Sequence, residues 1–149
     1  MSTDLHELDA WAMRLLSSLS PPARKVLASQ IARRLRETSQ ARVQAQINPD
    51  GTPYEKRKPQ MRGKAGRVRR KMFTKLRTNR YLKVEASSDG AFVSFAGQAQ
   101  RIARVHHFGL RDRVEKNGPT VKYAARELLG ITDTDQAAIA DLVIAHVAG

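Results

Sequence analysis

The chain has 149 residues and a formal net charge of +13, from 27 Lys or Arg against 14 Asp or Glu, with 41% hydrophobic residues, 5% aromatics and no cysteine. That length suits one domain with a modest core, and the missing cysteines exclude disulfides and thiolate metal sites. No apolar run approaches membrane-spanning length, and the start, with Ser2, Asp4 and Glu7, lacks the basic and apolar regions of a signal peptide. A soluble protein with no membrane partner, remaining in the cytoplasm where it is made, is the expectation.

Leu5, Leu8, Trp11, Leu15, Leu16 and Leu19 recur every three or four residues and predict an amphipathic helix over 4–19. Ser20 then offers an N-cap and Pro21 a first helical position, where the missing N–H costs nothing. The second helix runs to about Gln46 with Val26, Leu27, Ile31 and Leu35 inward. Its later turns, from Glu37, are mostly polar, and are expected to be solvated or covered by a neighbouring subunit. The short connection predicts antiparallel packing of the two helices. Asn48-Pro49-Asp50-Gly51-Thr52-Pro53 is a dense turn signal.

The charge is concentrated just beyond that turn. Residues 56–83 hold thirteen Lys or Arg and no acid, while the rest of the chain carries fourteen of each sign. Residues 56–70 include Pro59, Gly63 and Gly66, with only Met61 and Val68 as larger apolar side chains, so the stretch reads as a flexible arm or long loop. A short helix over 68–77 would use Met72, Phe73 and Leu76. Two alternating runs, 81–86 and 91–95, flank Ser88-Asp89-Gly90 and predict a β-hairpin. Residues 98–107 suit a short helix ended by Phe108-Gly109. Residues 111–120 suit a loop or an extended β arm turning at Asn117-Gly118-Pro119. A last helix begins at Asp133 or Thr134 as cap, with Ile139, Leu142, Val143 and Val147 inward. The fold class is α+β in a single domain, 1–149: a helical hairpin (1–47), a basic arm or loop (48–79), then a small antiparallel hairpin, loop and C-terminal helix (80–149).

Signals for chemistry are weak. His106 and His107 are adjacent and point apart on a helix or a strand, and no carboxylate stands at a spacing that completes a metal site with them or with His6 and His146. Gly63-Lys64-Ala65-Gly66 lacks a second glycine at the right distance and the Lys-Ser/Thr pair of a phosphate loop. No GxSxG elbow is present. No catalytic, metal or cofactor residues are therefore assigned, and an enzyme is not expected. The basic cluster Lys56, Arg57, Lys58, Arg62, Lys64, Arg67, Arg69, Arg70 and Lys71 meets either nucleic-acid phosphates or an acidic protein surface. Tyr54, Phe73 and Tyr81 lie only at its margins, which disfavours a base-stacking platform.

Three stretches carry a family resemblance. They are Gln46-Ile47-Asn48-Pro49-Asp50-Gly51-Thr52-Pro53-Tyr54; Arg101-Ile102-Ala103-Arg104-Val105-His106-His107-Phe108-Gly109-Leu110-Arg111-Asp112; and Tyr123-Ala124-Ala125-Arg126-Glu127-Leu128-Leu129-Gly130. In order and content they resemble the phage virion morphogenesis family, across nearly the whole chain. His107 falls where that family's pattern has a polar residue such as Gln. The resemblance implies a structural virion protein made in the host bacterial cytoplasm, a tail completion or head–tail joining factor of the neck. Its implied partners are other phage neck, portal or tail proteins, further copies in a homo-oligomeric ring (taken as a hexamer), and phage DNA in non-specific contact. The motif positions it marks are Pro49, Gly51, His106, Phe108, Gly109, Arg126, Leu128, Leu129 and Gly130. Within a ring, Arg104, Arg111, Arg113 and Arg126 are candidate interface or lumen charges, and Leu110, Leu128 and Leu129 pack either inside the subunit or against a neighbour. Charge alone supports a second reading, a stand-alone nucleic-acid-binding module without sequence specificity.

Overall fold

The computed structural model describes residues 2–57 and 71–148. In chain order its elements are α1 (Ser2–Leu16), α2 (Pro21–Ala45), β1 (Leu82–Ala86), β2 (Ala91–Phe95), α3 (Ala99–Phe108), β3 (Arg111–Arg113), β4 (Thr120–Lys122) and α4 (Asp133–Ala148). The four strands form two separate two-stranded sheets, so the described chain is α+β as its patterning indicates. β1 and β2 are joined through Ser87–Gly90, with the Ser87 N–H donating to the Gly90 carbonyl at 2.9 Å. β3 and β4 pair antiparallel, Arg111 opposite Lys122, Asp112 opposite Val121 and Arg113 opposite Thr120. The 111–120 stretch is thus the extended β arm of the two alternatives.

Helix ends follow local chemistry. The Ser20 hydroxyl accepts the Ala23 N–H at 3.3 Å, which makes it the N-cap of α2. α3 ends at Gly109, whose φ of 66° is left-handed and which closes the last turn onto the Val105 carbonyl. α4 starts one residue earlier than the sequence suggests, because Thr132 is the cap. Its hydroxyl accepts the Asp135 N–H and the Asp135 carboxylate accepts the Thr132 N–H, both at 3.0 Å, a reciprocal capping box.

Two expectations need correction. Residues 71–77 form successive turns and no helix, and residues 68–70 lie outside the described ones. Phe73 sits at φ 66°, a conformation that a β-carbon resists and a helix cannot include, so the chain turns there and the Arg77 N–H closes onto the Phe73 carbonyl at 3.1 Å. Nor are the later turns of α2 solvated or left to a neighbour throughout: Ser39, Arg42 and Val43 are buried within the subunit, while Glu37, Ala41, Gln44 and Ala45 are exposed.

Tertiary contacts divide the chain into two compact units, each discontinuous in sequence. One comprises Met1–Thr38, Lys83–Ser94 and Ile131–Gly149; the other comprises Ser39–Leu82 and Phe95–Gly130. In the first, α1 packs chiefly against α4, and not against α2 as the short connection between the first two helices predicted. Leu8, Trp11, Leu15 and Leu16 are half-buried, and Leu27, Ala28, Ala32 and Val143 are buried. Of the second helix's expected inner residues, Val26 is instead 54% exposed. In the second unit the core is Val43, Tyr54, Met72, Ala103 and Leu128, with Phe73, Leu76 and Phe95 against it. Among the described residues no helix is long and apolar enough to cross a membrane.

Candidate functional site

Residues 123–130 have no regular secondary structure, so their backbone polar groups need partners from elsewhere. They find them in the other two motif stretches. The Tyr123 N–H donates to the Leu110 carbonyl at 3.1 Å and the Arg126 N–H to the His106 carbonyl at 2.7 Å. The Glu127 N–H donates to Asn48 Oδ1 at 2.9 Å, and the Leu128 N–H to His107 Nδ1 at 3.1 Å. In return the Glu127 carbonyl accepts the Tyr54 hydroxyl at 2.9 Å and the Gly130 carbonyl accepts Arg42 Nη2 at 3.0 Å. The segment is a strap laced across α3 and the 48–54 turn by six donors and acceptors, four of them side-chain groups.

Close contact explains the glycines. A β-carbon on Gly109 would stand 2.8 Å from the Ala125 nitrogen, and one on Gly130 would stand 2.5 Å from Cγ of Pro49. Gly109 also needs its positive φ, so both conformation and space demand glycine there. Pro49 and Gly130, marked separately in the sequence, are packing partners. Gly51 is different. Its φ of 89° serves the turn, where its N–H donates to the Asn48 carbonyl at 2.9 Å, and nothing crowds it.

The strap also fixes the root of the basic segment. Arg126 is 6% exposed, and its Nε donates to the Glu55 carbonyl at 2.7 Å while Nη2 donates to the Lys56 carbonyl at 3.2 Å. This corrects its reading as an interface or lumen charge: it is an internal clamp. At the far root, the Gln46 side-chain amide imitates a strand partner. Its Nε2 donates to the Met72 carbonyl at 2.9 Å and its Oε1 accepts the Met72 N–H at 2.8 Å. The two roots touch through Tyr54 and Phe73, whose ring centroids are 5.9 Å apart. The described residues on either side, up to Arg57 and from Lys71, are therefore held on one base. Lys56, Arg57 and Lys71 are exposed there, while Lys58, Arg62, Lys64, Arg67, Arg69 and Arg70 lie outside the described residues.

His106 and His107 do point apart. His106 stacks edge-on between Phe73, at 5.0 Å, and Tyr123, at 4.7 Å. Burial, reinforced by the nearby Arg126 and Arg57 charges, holds its pKa below the ordinary value, so it is neutral at neutral pH. His107 is likewise lowered, by burial, and as an acceptor at Nδ1 it carries its proton on Nε2. Burial pushes the Tyr54 phenol up to about 12, which keeps it a donor to the strap. Leu128 is 1% exposed in the core and Leu129 half-buried, which places Leu128 inside the subunit. Phe108, by contrast, is 63% exposed. Among the described residues no three His, Asp or Glu side chains come together in a way that could hold a metal.

Arg42 and Phe73 were not recognisable as site residues from the sequence. Arg42 lies on a polar stretch of α2, and only the folded strap gives it the Gly130 carbonyl as a partner. Gln46, Asn48, Tyr54 and Tyr123 stand inside the motif stretches, and the structure supplies their roles.

The family model for phage virion morphogenesis proteins matches residues 3–148. The chain belongs to the phage virion morphogenesis family. It is 47% identical over 135 residues to the tail completion protein S of Escherichia phage P2, a match that covers 89% of this chain and 90% of that protein. No solved structure matches it. The three stretches that resemble the family are thus the three that the fold ties together, which gives the pattern a physical cause. Membership of this family makes the chain a structural protein of virion assembly, working with other proteins of the phage particle.

Proposed function

We propose that this chain is a tail completion factor, closing the phage tail so that it joins the DNA-filled head, and that it acts by binding alone. The observation that carries this reading is the 47% identity to a tail completion protein, extending over about nine tenths of both chains. The structure supplies a means. The strap and the Arg126 and Gln46 clamps hold Lys56, Arg57 and Lys71, the described members of the basic cluster, on one base. A cationic segment suits docking onto a polyanionic surface, either an acidic neck protein or DNA. The finished protein resides in the virion tail. A ring of identical copies belongs to this reading, with exposed Met13, Ile131 and Ile144 of the first unit as surface for a neighbour to cover.

The test is a phage lacking this gene, examined by negative-stain electron microscopy. Filled heads and separate tails are expected, with joining restored by the purified chain. Normal yields of joined virions without it would overturn the proposal. Light scattering on the purified chain, free and tail-bound, measures the copy number and tests the hexamer directly.

A further inference from the structure

The charge of the molecule is divided between its two units. The first carries seven basic and nine acidic residues, the second twenty basic and five acidic. Part of that excess is displayed on a regular element. In the β3–β4 ribbon Asp112 and Val121 form the half-buried face, and Asp112 reaches Arg101 of α3 at 2.6 Å. The opposite face shows Arg111, Arg113, Lys122 and Thr120, all exposed. Arg111 and Lys122 are direct cross-strand partners, an arrangement of like charges that weakens a two-stranded ribbon. No acid lies on that face within the paired residues. Glu115, at the hairpin tip, is the nearest of matching alternation.

We infer that the outer face of the β3–β4 ribbon, through Arg111, Arg113 and Lys122, is a second DNA-backbone contact, separate from the basic segment at 56–71. A protein partner would be expected to meet an apolar patch there, since interface cores are aromatic and aliphatic. This face offers cations and a threonine hydroxyl, which are the groups that bind phosphate oxygens. A two-stranded ribbon fits the major groove of B-DNA, about 12 Å wide. Phosphates also resolve the Arg111–Lys122 repulsion, giving an otherwise unfavourable pair a reason to exist. The inference does not rest on the tail-completion reading, because the purified chain tests it.

The experiment measures binding of the full chain to a random-sequence 30-base-pair duplex by fluorescence anisotropy across 50–200 mM NaCl. Replacing Arg111, Arg113 and Lys122 together by Gln should lower the slope of log K against log salt by about 2 to 3, since each lost phosphate contact removes about 0.9. Lys122→Glu supplies the second readout. It gives the ribbon an opposite-charge pair, so it should raise the Tm while weakening duplex binding several-fold. An unchanged slope in the triple variant, with the wild-type fold retained, overturns the inference. So does loss of poly-glutamate binding with duplex binding intact, which would assign the face to an acidic protein. Absence of wild-type duplex binding at 50 mM salt overturns it too.

Discussion

Arg126 is the residue on which the anchored base depends most. Its guanidinium spans two consecutive carbonyls while its own N–H holds α3, so one side chain and one amide connect the strap, the helix and the root of the basic segment. Arg126→Ala should cost about 2–3 kcal/mol, the scale for a charged hydrogen-bonding group whose buried partners are left unpaired, as measured by urea unfolding. Arg126→Lys keeps the charge but not the fork, and should recover only part of that loss. Equal stability of Arg126→Ala and wild type would show that the clamp is not structural. His107 gives a residue-scale pH dependence. Its folded pKa lies below the ordinary value of 6.5, so below that pH the unfolded chain holds a proton that the folded one lacks. Stability should therefore be complete above about pH 6.5 and decline as the pH falls from there towards the folded value. His106 is lowered as well and acts in the same direction. His107→Gln supplies an acceptor for the Leu128 N–H that does not titrate. The Tm of this variant should fall less between pH 7.5 and 5 than that of wild type, and a parallel decline would refute the role given to Nδ1.

At the scale of elements, what was legible in the sequence was what neighbouring residues decide. Ser20-Pro21 starts α2, Gly109 ends α3, alternating runs around Gly90 make a hairpin and Asn117-Gly118-Pro119 marks a turn, because caps and turns need only a few adjacent side chains. The α4 cap was misplaced by one residue for a similar reason: Thr132, Asp133 and Thr134 are all cap formers, and only the Asp135 carboxylate selects Thr132. Thr132→Ala should destabilise the protein by about 1 kcal/mol in thermal or urea unfolding, and no change would show that the capping box is dispensable. The elements that were not legible depend on distant residues. Arg42, on a polar turn of α2, is buried because it finds Gly130, and Gln46 just beyond the helix finds Met72, 88 and 26 positions away. The helix expected across Met72 and Phe73 is absent because Gln46 pairs with the Met72 backbone and Phe73 adopts a left-handed turn. Amphipathic spacing records which side chains favour burial, and it carries no information about side-chain amides that substitute for backbone partners. The site was legible to the same degree: its motif residues were visible as a pattern, while their convergence into one laced strap required the fold.

For the whole molecule the governing fact is a net +15 on the second unit against −2 on the first. An ion pair in the second unit, Arg101 with Asp112, is largely exposed on its arginine side and offsets little of that excess. Self-repulsion on this scale acts against the compact state and is screened by salt, with a Debye length near 10 Å at 0.1 M shrinking as salt is added. The Tm should therefore rise between 20 and 300 mM NaCl, where a fold held by surface ion pairs would lose stability. A polyanion at micromolar concentration, such as heparin, should raise the Tm further at low salt, because it neutralises the same charges and binds the folded state preferentially. Its effect should vanish by 300 mM. A Tm that falls with salt would mean that attractive pairs dominate and that the charge is arranged for stability. The expected rise means instead that the isolated chain is held below its attainable stability by its own excess charge, which any polyanion bound to the folded state would offset.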